Sequence, residues 1–373
     1  MVEKEFVEKL LNTAGIKIDG DRDFDIRVKD DRFYKRVLHN GSLGLGESYM
    51  DGWWECNSID QFTEKIISTK ITEKTKDFIN VKLIISFLKS KIFNRQNKKK
   101  SLEVGEVHYD LGNDFYKKML DKRMIYTSAY WKNSQDLDEA QKAKLDLVCR
   151  KAGLKPGMKI LDIGCGWGGL IKYAVENYGV SAVGITISKE QLKYAQDNVK
   201  ELDAEIRLQD YRDVDEKFDA IVSVEMFEAV GQKNFKEYMK VANKNLKRGG
   251  VFVLQTIGMA KTTSDPRDAW LDKYIFPNGT LPSQSEITKC VEGLFTIEDW
   301  HNFGTDYDKT LMEWYKNFKN NWSEFEKQYG EKFYRMWEYY LLLCAGSFRA
   351  RHIHVWQIVL SKEGIKGGHK SIR

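Results

Sequence analysis

Between Lys159 and Ile257 the chain alternates short apolar runs with amphipathic stretches: KILDIG, a helical stretch through Tyr178, SAVGITIS, a second through Leu202, EIRLQD, DAIVSV, a third ending near Leu246, and GGVFVLQTI. Strands that alternate with helices in this way build a doubly wound, mostly parallel α/β sheet. In such sheets ligands bind outside the carboxyl ends of the strands. Here the first strand runs directly into Asp162-Ile163-Gly164-Cys165-Gly166-Trp167-Gly168-Gly169, where the glycines let backbone approach a ligand closely.

Gly164, Gly166 and Gly169 satisfy G-x-G-x-x-G, so a dinucleotide site has to be weighed. A nicotinamide-binding fold would place an acidic residue at the end of its second strand to hold the ribose hydroxyls. That strand ends Gly184-Ile185-Thr186-Ile187-Ser188, with no acid. The leading acid of LDIGCGWG instead resembles motif I of the class I methyltransferases, which bind S-adenosylmethionine. The resemblance implies that Asp162, Gly164, Gly166 and Gly168 lie along the amino-acid part of that cofactor. Thr186, Ile187 and Ser188 with Gln191 would take the ribose side, and Asp210, Tyr211 and Arg212 would flank the adenine. Tyr126 and Thr127 join the same cofactor set. A loop aromatic covering the core is the other reading of Tyr211.

A chain of 373 residues with 42% apolar and 31% charged residues has the composition of a protein with a sizeable core and room for two domains. The divisions expected are a small, mainly helical N-terminal domain over 1–88, a basic linker over 89–102, and a methyltransferase domain over 103–373 with an ordered insertion over the sheet's carboxyl edge marked by Pro266, Pro277 and Pro282. Within the first domain, Phe24 to Val28 reads as extended, Gly41 to Gly46 as a turn and Val81 to Leu88 as amphipathic. The final stretch reads as an aromatic-rich helical region from Leu311 to Phe348, closed by a strand from His352 to Leu360.

A formal charge of +5 is too modest to suggest a nucleic-acid partner, but Lys89, Lys91, Arg95, Lys98, Lys99 and Lys100 cluster without an acid between them. That run is a solvated linker or a contact for anionic lipid. The five cysteines are scattered without a C-x-x-C pair, as expected for reduced thiols, and no metal site is expected. The charged start MVEKEFVEKL is unlike a signal peptide, and no segment is long and apolar enough to span a bilayer. The protein is expected in the cytoplasm, peripheral to the inner face of the membrane.

Several longer strings resemble the cyclopropane-fatty-acyl-phospholipid synthases: HYDLGNDFY at His108, YTSAYW at Tyr126, LDIGCGWGGL at Leu161, VGITIS at Val183, YIFPNGTLPS at Tyr274, DWHNFGTDYDKTLMEWY at Asp299 and CAGSFRAR at Cys344. The similarity runs from about residue 103 to 360, and most of these strings lie outside the shared methyltransferase core. It implies transfer of a methyl group from S-adenosylmethionine to the cis double bond of a phospholipid acyl chain. The resulting cation closes to a cyclopropane when the new methyl loses a proton. An alkene is a poor nucleophile, so catalysis must come largely from holding it against the methyl in a dry site lined by aromatic faces.

The resemblance further implies a bound bicarbonate as base, a phospholipid surface and unsaturated acyl chains as partners, and a homodimer. Of the bicarbonate-holding set, Glu228 matches the glutamate, Tyr307 the tyrosine and Ile257 the backbone group. Ser128 stands where the family usually has cysteine, Gln255 where it usually has histidine, and Ala229 where histidine normally follows the glutamate. A hydroxyl and an amide can still donate to an anion, but neither carries the histidine's charge. Bicarbonate is therefore expected to bind less tightly, with ring closure affected more than methyl transfer. A methylene or methyl-branched product, a weakly catalytic lipid- or cofactor-binding member, and a small-amine methyltransferase are the alternative outcomes.

Overall fold

The structure, a computed structural model, describes residues 2–69, 112–263 and 267–373, so the basic run at 89–100 and the amphipathic run at 81–88 lie outside the described residues. By contacts the chain forms two compact units.

One unit takes in the N-terminal residues together with Arg267–Pro277 and Tyr307–Ile353. It contains the helices Val2–Thr13, Arg32–Met50, Ile59–Ser68, Ala269–Tyr274 and Glu326–Arg349, with most of Thr305–Asn321. β1 (Ile26–Val28) and β2 (Trp54–Cys56) add a small antiparallel ribbon. Its centre is aromatic: Trp54 is fully buried, with its ring 5.0 Å from Tyr49 and 5.3 Å from Phe62. Arg349 grips Asp308 through Nε and Nη2 at 2.9 and 2.8 Å and also pairs with Asp60. The glycines expected to form a turn sit instead within the helix Arg32–Met50, where only Gly41 leaves helical geometry, at φ 55°. Gly46 is there for close approach, since a Cβ on it would lie 2.4 Å from the buried Trp270 ring.

The other unit holds a seven-stranded sheet in the order β5-β4-β3-β6-β7-β9-β8. The strands are β3 (Lys159–Ile163), β4 (Ser181–Thr186), β5 (Ala204–Leu208), β6 (Phe218–Val224), β7 (Leu246–Gly258), β8 (Thr296–Asn302) and β9 (His354–Ser361). β3 to β7 run parallel, while β9 lies antiparallel between β7 and β8, as the sequence pattern leads one to expect for a mostly parallel sheet. The helices Gly169–Tyr178, Lys189–Val199 and Phe235–Asn245 fill the crossovers. β8 was not legible in advance because its short, polar TIEDWHN lacks the apolar run of a central strand and pairs only as an edge. Parallel pairing brings the carboxyl ends of β3, β4, β6 and β7 to one edge, with Asp162 opposite Gly184 and Val224 opposite Gln255.

Candidate active site

The glycine loop follows β3 without a break. Gly164, Gly166 and Gly168 have φ of 87°, 55° and 81°, conformations that side chains with a Cβ rarely adopt. The N–H groups of Gly164 and Cys165 both donate to Ile185 O at 3.0 Å, which locks the loop to the end of β4. A Cβ on Gly164 would meet Met226 at 2.7 Å, whereas one on Gly166 would meet nothing within 4 Å. The loop is therefore open at Gly166, the feature a cofactor needs at that point. Trp167 pins it from the side, donating Nε1 to Asn113 Oδ1 at 2.7 Å and placing its ring 4.9 Å from Tyr116, itself 5.3 Å from Tyr126.

Beyond β4, Ser188 caps the helix Lys189–Val199 by accepting from Gln191 N at 3.3 Å. Thr186 Oγ1 donates to Gln191 Oε1 at 2.9 Å and accepts from Ser188 N at 3.2 Å, with half-buried Ile187 between them. Beyond β5, Asp210 accepts from Arg212 Nε and Nη2, each at 2.7 Å. Tyr211 is buried with its ring 4.9 Å from Tyr238, so it contributes to the core whatever else it touches. The described residues thus gather the cofactor set along one sheet edge, and they fit S-adenosylmethionine.

A buried helix face supports this edge. On Leu137–Lys151, Gln141 Nε2 donates to Thr127 O and Lys144 Nζ to Thr127 Oγ1, each at 2.8 Å. Lys144 is fully buried, and desolvation pulls its pKa down to about 8 against the opposing pull of Glu225, Asp121 and Asp162. Burial pushes Asp162 up to about 7, with Lys144 acting against it. Sequence reasoning missed Lys144, although a signal existed: Leu137, Gln141, Lys144 and Val148 follow helical spacing and put a lysine on the apolar stripe.

Glu228 is the middle residue of the short turn Phe227–Ala229 that follows β6. Its Oε1 accepts from Ile257 N–H and from Thr256 Oγ1, the latter at 3.0 Å, while its Oε2 is buried without a hydrogen-bond partner. Desolvation, then the charge of Glu225, pushes its carboxyl up to about 8. Thr280 N donates to Glu228 O at 2.9 Å, tying the NGTLPS segment to the same turn.

Glu225, which sequence reasoning also missed, lies between the remaining candidates. It follows β6 directly with φ 54°, unusual for a residue with a side chain. Its Oε1 accepts from Ser128 N at 2.9 Å and from Gln255 Nε2 at 2.7 Å, and Gln357 Nε2 donates to Gln255 Oε1 at 2.8 Å. Ser128 Oγ donates to Ala129 O at 3.1 Å. Glu228 and Ile257 are thus together, and Ser128 and Gln255 are together on Glu225. Tyr307 belongs to the other unit, buried with its ring 4.6 Å from Phe348 and 5.8 Å from Trp314.

This donor set does not fit a bound bicarbonate as the resemblance implies it. The Ser128 N–H and the Gln255 amide already serve one carboxylate, and the Ile257 N–H serves another.

Residues 96–358 match the family model described as mycolic acid cyclopropane synthetase. The chain is 52% identical over 365 residues to the cyclopropane-fatty-acyl-phospholipid synthase of Escherichia coli K12, covering 98% of this chain and 94% of that protein. It is 37% identical over 271 residues to sphingolipid C9-methyltransferase A of Emericella nidulans, covering 68% of this chain and 52% of that protein. Among solved structures, the cyclopropane synthase MmaA2 from Mycobacterium tuberculosis superposes with a TM-score of 0.66 at 32% identity, over 70% of this chain and 98% of that one. With the glycine loop, the sheet order and these matches in agreement, the chain belongs to the cyclopropane-fatty-acyl-phospholipid synthase family of S-adenosylmethionine-dependent methyltransferases.

Proposed function

We propose that the enzyme transfers the methyl group of S-adenosylmethionine to the cis double bond of an unsaturated phospholipid acyl chain and forms a cyclopropane. The observation that carries this reading is the match to the E. coli synthase over 98% of the chain. The residues divide the work. The glycine loop and the Thr186–Gln191 pair receive the cofactor, Lys144 and Gln141 hold Thr127 beside it, and the carboxyls at the end of β6 handle the proton. Tyr307, in the other unit, keeps in this reading the role that the family's pattern gives it. A bicarbonate base would require Ser128 and Gln255 to release Glu225.

The domain division at 88–102, peripheral binding to the inner face of the membrane, cytoplasmic residence and a homodimer belong to the same reading. Among the described residues no helix is long and apolar enough to cross a membrane. The lysine-rich run at 89–100 would draw the enzyme to anionic lipid. Incubation with vesicles of cis-unsaturated phospholipid and S-adenosylmethionine, followed by fatty-acid analysis, tests the reading. A gain of one carbon with ring protons in the NMR spectrum is expected. An added carbon carried as an alkene or a branch would replace ring closure with the other termination, and no added carbon would remove the reading. Vesicle binding that rises with anionic lipid and falls with salt supports the membrane part.

A further inference from the structure

We propose that the Glu225 carboxylate stands where the family's bound bicarbonate is expected, and that it is the base for ring closure. The proposal rests on methyl transfer to an acyl double bond being the reaction.

Two positions at which the chain departs from the family's pattern, Ser128 and Gln255, meet on a single atom. The Ser128 N–H and the Gln255 amide both donate to Glu225 Oε1, at 2.9 and 2.7 Å. Gln357 fixes the Gln255 amide from behind, donating to its oxygen at 2.8 Å. An anion in a dry site needs fixed N–H donors, and these are already committed to a carboxylate that belongs to the chain. A second anion beside it would meet like-charge repulsion in a poorly solvated site.

The backbone is arranged for the same end. Glu225 holds φ 54° and donates its own N–H to Gln255 O at 2.8 Å, so it is tied to β7 through both backbone and side chain. Strained conformations of this kind persist where the surroundings fix them and cluster at functional sites. Without the histidine of the family's pattern, buried Lys144 is a positive charge that interacts with Glu225. Glu228, half-buried with its Oε2 shielded from solvent and close enough to feel the charge of Glu225, is the member of the pair that keeps its proton. A carboxylate held by fixed N–H donors beside a carboxyl that keeps its proton is an arrangement suited to general base chemistry.

The carbon–sulfur bond of the sulfonium breaks with its electrons remaining on sulfur, and the alkene π pair forms the first new carbon–carbon bond, leaving a cation. The pair of one methyl C–H bond then closes the ring as the second carbon–carbon bond. Its proton passes to the Glu225 carboxylate and later to water.

The test uses the intact enzyme on unsaturated phospholipid vesicles in buffer stripped of carbon dioxide, with and without millimolar bicarbonate. Parent turnover is expected to be the same in both. Glu225→Gln should lose about 100-fold or more in ring formation, while calorimetric affinity for S-adenosylmethionine stays at the parent value. Glu225→Gly, which suits the left-handed backbone, should regain turnover with added bicarbonate or formate. A parent enzyme that stalls without carbon dioxide and recovers with bicarbonate overturns the proposal, and so does a Glu225→Gln variant at the parent rate. The first of these needs no variant to fold. A parent that adds no carbon to any acyl chain in either buffer removes the methyl-transfer reading and the base with it, an outcome distinct from a bicarbonate requirement.

Discussion

Gln255 donates its side-chain amide to Glu225 Oε1 at 2.7 Å, across the paired ends of β6 and β7. Gln255 is fully buried and Glu225 half-buried, so the bond links a neutral amide to a carboxylate only partly open to water. Gln255→Leu would leave Glu225 with one fewer donor and strip the Gln357 amide of its acceptor. Loss of a buried donor to a charged group costs about 1–3 kcal/mol, and urea unfolding should read a loss of that order together with reduced ring formation. An unchanged midpoint would mean that water replaces the amide without penalty.

Gly164 and Gly166 are expected to separate fold from ligand. Gly164→Ala drives a Cβ to 2.7 Å from Met226 and should lower the thermal midpoint with or without cofactor. Gly166→Val enters open space, so its cost to the empty protein is chiefly the left-handed backbone, about 1–2 kcal/mol. Its effect should appear instead as loss of S-adenosylmethionine binding by calorimetry. Parent affinity in a folded Gly166→Val variant would remove the loop from the cofactor site.

Glu228 predicts a pH dependence of stability. Its carboxyl titrates near 4.5 when unfolded and near 8 when folded, so between those values the folded state holds a proton that the unfolded state has released. Stability therefore falls as pH rises through this window, by up to about 1.4 kcal/mol per pH unit for one proton. Glu228→Gln keeps an acceptor for Ile257 N–H and removes the titration. Urea midpoints measured from pH 5 to 8 should decline less steeply in the variant than in the parent, with the remainder of the slope in the same direction owed partly to Asp162. Parallel curves would place the Glu228 carboxyl in a solvated setting.

Lys144→Met removes the buried cation while keeping the volume of the side chain. It leaves the Thr127 hydroxyl without its donor and Glu225, Asp121 and Asp162 without the positive charge that faces them. Breaking a buried ionic arrangement by deleting one partner costs about 3–5 kcal/mol, and denaturant unfolding should register a loss in that range. The variant should also bind S-adenosylmethionine less tightly, because Thr127 is released. Stability equal to the parent would show that the carboxyls take up protons and relax around the methionine.

The sheet, the glycine loop and the family were legible along the chain. β3, the loop and the helix after it are contiguous, so strand, turn and close backbone approach are all written within Lys159 to Tyr178. Contiguous signals of that kind need no knowledge of how distant segments pack. Glu228 was legible for the same reason, lying just past a strand end. The glycines from 41 to 46 were misread as a turn because their reason is distant in the chain: Gly46 is small to admit Trp270. Glu225 was overlooked for the same cause. Its partners Ser128 and Gln255 are 97 and 30 residues away, and Gln357 is a further 102 from Gln255, so no spacing rule connects them. Tertiary packing chose which carboxylate those donors serve, because the parallel pairing of β6 with β7, the antiparallel pairing of β9 with β7 and the loop that carries Ser128, not sequence proximity, bring them together.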